Sequence, residues 1–406
     1  MVELPLGDGT VTVDLTACDV TVAEPPGGDT VDVRTAAERA VESPRGAALS
    51  DLVDPDDTVA IVVTDITRST PDDVLVDVLL SRLERLGVYR EQVRIVVGLG
   101  LHRPMTDDEL ESMLGEHADL AVNHDPNDVV TVGDVDGTPI QLNRRVALAD
   151  QVLATGTVEP HQYAGFSGGA KTVAIGAGGE PLIRYTHGPE LLSNDGVRLG
   201  RVDDNPFRDA VDRAGDCCEL AFCLNVTRGV DGVLDVAAGA PRAVVEALAT
   251  RAKSALSVRV DSEYDAVVAG VGAPKDANLY QTTRAVTYVI LGAHNPLKSG
   301  GRVVIPATLS EGAGSGTGEQ RFYRWLSDAE SPETLYETMR AGYEPGAQRA
   351  FVVARALREH DVYVTNSEAP SVVESCLMNA RETVEEAVEP GSEVLVVSDA
   401  LNTLLI

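Results

Sequence analysis

The alternation of apolar runs with amphipathic segments divides this chain into strands and helices. Thr58–Thr64 (TVAIVVT), Val93–Leu99, Gln151–Val158, Asp265–Val271, Arg302–Leu309, Asp361–Thr365 and Glu393–Asp399 are apolar runs of the kind buried on both faces of a parallel sheet. Helical periodicity separates them. One helix starts at Pro71, with Ser69 or Thr70 as cap, and buries Val74, Val78, Leu79, Leu83 and Leu86. Others cover Thr106–Leu114, with an acidic first turn, and Pro241–Leu256, and shorter ones are expected at Pro189–Leu192 and Phe207–Ala214. Residues 1–35 alternate apolar and polar side chains between Gly and Pro turns, which predicts a small antiparallel sheet, followed by a helix and an acidic loop over Ala36–Leu52. Asn127–Ala147 reads as a hairpin turning at Asp136-Gly137, and Ala221–Val236 as a further pair of strands. The pattern predicts an α/β protein of two domains with mostly parallel sheets, residues 1–255 and 256–406, joined through Pro241–Leu256 and enclosing an active-site cleft between them.

Composition narrows the class. At 406 residues and 44 % hydrophobic the chain is long enough for two cores. A net charge of −31, with abundant Asp and only four lysines, suggests adaptation to high salt, where screening quenches the mutual repulsion of acidic side chains. The same charge argues against nucleic acid as a partner. The cysteines at 18, 217, 218, 223 and 376 show no CxxC spacing and read as reduced thiols of a cytoplasmic protein. No start resembles a signal peptide, and no apolar run is long enough to span a bilayer, so no membrane role is expected.

Candidate chemistry concentrates in Thr157–His187, TVEPHQYAGFSGGAKTVAIGAGGEPLIRYTH. It follows an apolar strand, so Glu159 to Gly169 lie where open α/β sheets place their sites. Gly165, Gly168 and Gly169 allow close approach of backbone to a bound group, and a helix is expected to begin at Ala170. Lys171, in its first turn, is either a point charge for a phosphate or an amine of lowered pKa used as a nucleophile. Residue types leave both readings open. Two other strand ends present Asp65, Thr67 and Arg68, and then His102 and Arg103. Arg68 is either a surface ion pair or a bidentate carboxylate clamp. His102 and His161 both follow strands of one sheet, so two imidazoles could converge on one pocket and exchange protons near neutral pH. His117 and His124 read as structural. In GAPKDANLYQTTRAV a helix beginning near Asn278 would put Gln281 and Arg284 on one face, while the glycine-rich Ser310–Gly318 carries no phosphate signature. Trp325, the single tryptophan, is either core or the roof of a cleft.

EPHQYAGFSGGAK, with His161 ten residues before Lys171 and His187 sixteen after it, resembles the signature of the nickel-pincer-dependent lactate racemase family. The resemblance extends through DITR, GLGLHRPMT and PKDANLYQ and covers most of the chain. It implies a nickel-pincer nucleotide joined covalently to Lys171, with His187 as a nickel ligand and Asp65, Thr67, Gly168, Gly169 and Tyr280 around the cofactor. It further implies that Arg68 holds the substrate carboxylate, that Gln281 and Arg284 reach the substrate, and that His102 and His161 are the acid–base pair. Interconversion of D- and L-2-hydroxy acids by transient hydride transfer would follow, with cofactor maturation enzymes as transient partners. At position 284 the family commonly has lysine, and the arginine here opens the question of substrate: lactate, malate or a larger or sugar acid. The other classes considered are a nucleotide-binding oxidoreductase or kinase-like enzyme, against which the chain has no G-x-G-x-x-G after its first strand and no Walker pattern, and a non-catalytic binder.

Overall fold

The run at Val59–Thr64 is buried along nearly its whole length because it lies inside a six-stranded sheet, paired in parallel with Val93–Gly98 on one side and Gln151–Thr157 on the other. Ala121–Asn123 extends the sheet beyond Val93–Gly98. On the opposite side Leu220–Gly229 pairs in parallel with Gln151–Thr157, and Gly232–Gly239 closes the edge as an antiparallel strand. The helices Val33–Glu42 and Asp72–Arg85 bury Val41, Leu75, Leu79 and Leu83 in the core that also holds Ile61, Ile95 and Leu224. Strands with both faces covered need apolar side chains at every position, which is why these runs are legible without alternation. This computed structural model describes residues 1–100, 102–344 and 346–406; Leu101 of the GLGLHRPMT motif lies outside the described residues.

A second sheet, also six-stranded, is parallel throughout, in the order Asn379–Arg381, Asp361–Thr365, Leu297–Pro306, Tyr264–Ala269, Glu393–Val397 and Asp19–Ala23. The chain forms two compact units, one of residues 27–186 and 200–255, the other of residues 1–26, 187–199 and 256–406. Membership therefore follows contacts rather than a single cut in sequence. The amino-terminal segment is antiparallel only in the hairpin Val2–Leu6 with Gly9–Val13; Asp19–Ala23 instead joins Glu393–Val397 in parallel. As an edge strand it leaves Val22 exposed, and such one-sided burial gives the same alternation in either kind of sheet. The last strand, Leu404–Leu405, pairs with Ser257–Val258 in the same unit.

Local details differ from expectation where side chains found other partners. The helix after the first core strand runs from Asp72 to Arg85 with Pro71 at its N-cap and no side-chain cap. Thr70 is spent elsewhere, its hydroxyl lying 3.0 Å from that of Thr64 and 2.9 Å from that of Thr157. Val74 and Leu86 are only half-buried. The helix expected near Asn278 is capped by the Asn278 side chain but divides at Thr283 into Leu279–Thr282 and Arg284–Ile290. No helix among the described residues is long and apolar enough to cross a membrane.

Candidate active site

In the unit of residues 27–186 and 200–255, the carboxyl ends of adjacent strands assemble most of the predicted chemistry. After Val59–Thr64 the chain turns at once, the Arg68 amide donating to the Asp65 carbonyl over 3.1 Å. The Asp65 carboxylate is buried, and Oδ1 accepts from the Thr67 amide (3.0 Å) and hydroxyl. Its Oδ2 lies 2.6 Å from Nδ1 of His102, which comes from the loop after Val93–Gly98. Burial alone would raise the Asp65 pKa, but the bonds from His102 and Thr67 outweigh it and hold the group down at about 2. An ionised Asp65 makes Nδ1 of His102 the donor and leaves Nε2 as the basic nitrogen of that ring.

His161 is held in the opposite sense. It sits in the two-residue strand Pro160–His161, paired with Gly165–Phe166. Its Nδ1 accepts from the backbone amides of Tyr163 (3.2 Å) and Ala164 (3.1 Å), so in the neutral ring the proton resides on Nε2. Tyr163 meets the ring edge-on at 5.7 Å, and Phe207 packs against it at 6.2 Å.

Lys171 lies in the short helix Ala170–Ala174, as predicted, and is half-buried as a residue. Desolvation, with the like charges of Arg68 and Arg208, pushes its amine down to about 7 against the opposing pull of Glu159 and Asp65. The neighbouring glycines are also required by the chain's own packing. Gly165, Gly168 and Gly169 all have positive φ, and a Cβ at 165 would lie 1.9 Å from the Arg201 carbonyl oxygen. At 168 it would lie 2.7 Å from Val158 Cγ2, and at 169 it would lie 2.6 Å from Val245 Cγ2.

Three contributors escaped sequence reasoning. Arg68 is engaged by Glu159, Nη1 to Oε1 at 2.9 Å, so the expected carboxylate clamp already holds a carboxylate of its own chain. Arg208 is buried, forked onto Asp212 (2.6 and 3.1 Å), and aims Nη1 at the carbonyls of Phe166 and Gly168, each at 3.4 Å. Asn205 caps its helix and donates from its side chain to the Tyr163 carbonyl at 2.8 Å. Glu159 stood within the quoted signature; Arg208 and Asn205 lie outside it and gave no signal beyond an i,i+4 charge pair and a cap.

The other unit carries the remaining predicted residues. His187 is half-buried, directly after the helix Glu180–Thr186. Tyr280 meets Phe322 edge-on at 5.5 Å, and Gln281 donates its backbone amide to the Asn278 side chain at 3.0 Å. Arg284 lies over the Tyr288 ring at 5.9 Å and donates to its hydroxyl at 3.4 Å. The structural reading of His117 and His124 agrees with their settings. His117 contacts Asp77 and Arg90, and His124 contacts the Gly178 carbonyl and Asn143. Asp77, Glu116 and His117 offer ligand atoms within 4.8 Å of one another, but Asp77 already pairs with Arg34.

Comparison with known proteins identifies the family. The lactate racemase N-terminal domain matches residues 6–200 and the lactate racemase C-terminal domain matches residues 260–404. The lactate racemase of Lactiplantibacillus plantarum is 28 % identical over 389 residues, covering 91 % of this chain and 90 % of that protein. That of Thermoanaerobacterium thermosaccharolyticum is 26 % identical over 393 residues, covering 90 % and 87 %. The lactate racemase apoprotein structure from T. thermosaccharolyticum superposes with a TM-score of 0.88 at 24 % identity, over 100 % of this chain and 99 % of that one. A Thermotoga maritima protein of 17 % identity gives 0.68 over 94 % and 99 %. Matched by both domains across most of its length, the chain belongs to the lactate racemase family and is an isomerase.

Proposed function

We propose that this enzyme interconverts the enantiomers of a 2-hydroxy acid, lactate first among them, with a nickel-pincer nucleotide attached to Lys171. The observation that carries this reading is the Lys171 amine, pushed to about 7 in the same unit as the Asp65–His102 pair, His161 and Arg68. An amine that is about half uncharged at neutral pH is a competent nucleophile for an acyl-type attachment, and its conversion to an amide-like link removes a charge that burial disfavours. The group fits these surroundings on that ground. Lys171 would tether it, His187 would supply a nitrogen ligand to nickel, and Asp65 and Thr67 would border it. When bound, the group supplies an acceptor for the hydride of the substrate's C2.

The chain's own residues handle charge and protons. Arg68 binds the substrate carboxylate, which takes the place of Glu159 on the guanidinium. His102, fixed by Asp65, takes the hydroxyl proton at Nε2. His161 presents Nε2–H to the substrate oxygen from its own side; acting as the base there requires its proton to move to Nδ1 and both backbone amides to release the ring. The two faces of the substrate are thus served by imidazoles prepared differently in the free protein.

Mass spectrometry and metal analysis of protein co-expressed with the cofactor maturation enzymes test the reading. We expect an adduct on Lys171 and stoichiometric nickel, both absent in Lys171→Ala, and adduct without most of the nickel in His187→Ala. Turnover of 2-deuterated lactate in ordinary water should give the opposite enantiomer with its label kept. Washing out of deuterium, or wild-type protein without an adduct, would remove this assignment.

A further inference from the structure

We propose that Arg349 anchors an oxyanion-binding site in the second unit, for a carboxylate of the substrate or the phosphate of the tethered nucleotide. Arg349 lies in the first turn of the helix Gln348–Leu357 and is only 6 % exposed. Among the described residues its guanidinium makes no hydrogen bond and no ion pair. Nε and Nη1 are fully enclosed without hydrogen-bond partners, and the guanidinium lies over the face of Tyr280, 4.4 Å from Cζ to the ring centroid.

A guanidinium removed from water needs acceptors, because an aromatic face replaces only part of its hydration. The chain shows elsewhere how it satisfies one. Arg208, 2 % exposed, is forked onto Asp212 and bonded to two carbonyls. A molecule with net charge −31 has no shortage of carboxylates, yet none is delivered to Arg349. Glu344, shortly before it in sequence, is taken by Arg321 and Arg324. The first turn of its helix has no acidic side chain to balance the positive end of the helix dipole. Two positive features thus coincide without a protein anion, which is the arrangement of a site for an anionic ligand.

Its neighbours define the chemistry further. Tyr280, under the guanidinium, is followed by Gln281, whose Oε1 is buried without a donor among the described residues. An oxyanion would satisfy Arg349, and a donor on the same ligand, such as a second hydroxyl, would satisfy Gln281. The anion's identity rests on the proposed function; the presence of an anion site does not.

The test is titration of the apoprotein, by calorimetry at fixed ionic strength, with malonate and with inorganic phosphate, using the parent, Arg349→Met and Arg349→Gln. One equivalent of saturable binding is expected in the parent, weakened about ten-fold or more in both variants, with circular dichroism unchanged. Preference for malonate assigns the site to a substrate carboxylate, and preference for phosphate assigns it to the nucleotide. A parent that binds neither anion, or a folded variant that binds as the parent does, overturns the proposal. If Arg349→Met fails to fold, Arg349→Gln, which keeps a hydrogen-bonding end group, decides. No turnover or cofactor enters the measurement, so an inactive enzyme can pass it and an active racemase can fail it.

Discussion

Oδ2 of Asp65 stands 2.6 Å from Nδ1 of His102, and the carboxylate is held at a pKa of about 2 despite its burial. That pairing leaves Nε2 as the basic nitrogen of His102, the atom that takes the hydroxyl proton in the proposed mechanism. Asp65→Asn presents an amide that can rotate its NH2 toward the ring and favour the wrong tautomer. We expect kcat/KM of the holoenzyme to fall on the order of 10²–10⁴, the usual cost of losing a general base. A variant with unchanged kcat/KM would separate His102 from proton transfer.

The same carboxylate sets a pH dependence of stability. Its folded pKa lies below the ordinary Asp value of 3.8, so the stabilisation is present above pH 4 and is lost as pH falls from there toward 2. Thermal melts of the apoprotein between pH 5 and 3 should therefore decline less steeply in Asp65→Asn than in the parent. Parallel declines would show that the Asp65 contacts do not survive in solution.

Lys171 gives the opposite limb. Its folded pKa of about 7 lies below the ordinary 10.5, so the unfolded chain binds more protons between these values and stability rises with pH across that window. Below pH 7 the buried charge is destabilising in full. Lys171→Met should raise the apoprotein's melting temperature at pH 6–7, with the gain shrinking toward pH 10. A constant gain at all pH values would mean that the effect is packing rather than charge.

If Arg68 binds the substrate carboxylate as proposed, the Arg68–Glu159 pair makes the substrate compete with an internal carboxylate. Both side chains are partly exposed, 29 % and 40 %, so the pair is weak in water, with about 0.2–1 kcal/mol typical of such contacts. Glu159→Gln should lower KM for a hydroxy acid about two- to five-fold, with a smaller change in kcat. A raised KM would instead show that Glu159 holds Arg68 in its binding position.

How far the sequence discloses these relationships depends on distance along the chain and on burial. Val59–Thr64 and Gln151–Thr157 are readable as strands because both faces are buried, and Asp65, Arg68 and His161 follow from them as strand-end residues. The order of the sheet is not in the pattern. Asp19–Ala23 pairs with a strand near the opposite end of the chain, a long-range choice that alternation does not encode. Arg208 with Asp212 looks like a surface i,i+4 pair, and only the fold reveals that it is buried under the Phe166 and Gly168 carbonyls. The glycines at 165, 168 and 169 are visible as necessary in the sequence, and the fold adds a reason besides the expected approach to a ligand. Their left-handed φ and the backbone and side chains packed against them account for the absence of a Cβ. His187, Tyr280, Gln281 and Arg284 were singled out through the family signature, since nothing in periodicity separates them from ordinary helix-end residues.

A role for Arg284 in substrate choice is open to a direct test. Tyr288, one turn later in the same helix, lies with its ring centroid 5.9 Å from the Arg284 Cζ and accepts a hydrogen bond from the guanidinium at its hydroxyl, at 3.4 Å. If the substrate of the proposed reaction meets both Arg68 and Arg284, it finds two planar forks where a monocarboxylate needs one, which would favour an acid carrying a second carboxylate or further hydroxyls. Arg284→Lys keeps the charge but removes the fork and the stack. Measured on holoenzyme with lactate, malate and a sugar acid, the variant should lose about ten-fold in kcat/KM for malate relative to lactate, the scale of one charge-assisted contact. If lactate is the best substrate of the parent and the preference does not change in the variant, Arg284 plays no part in specificity, and the second fork has its role in holding the cofactor instead.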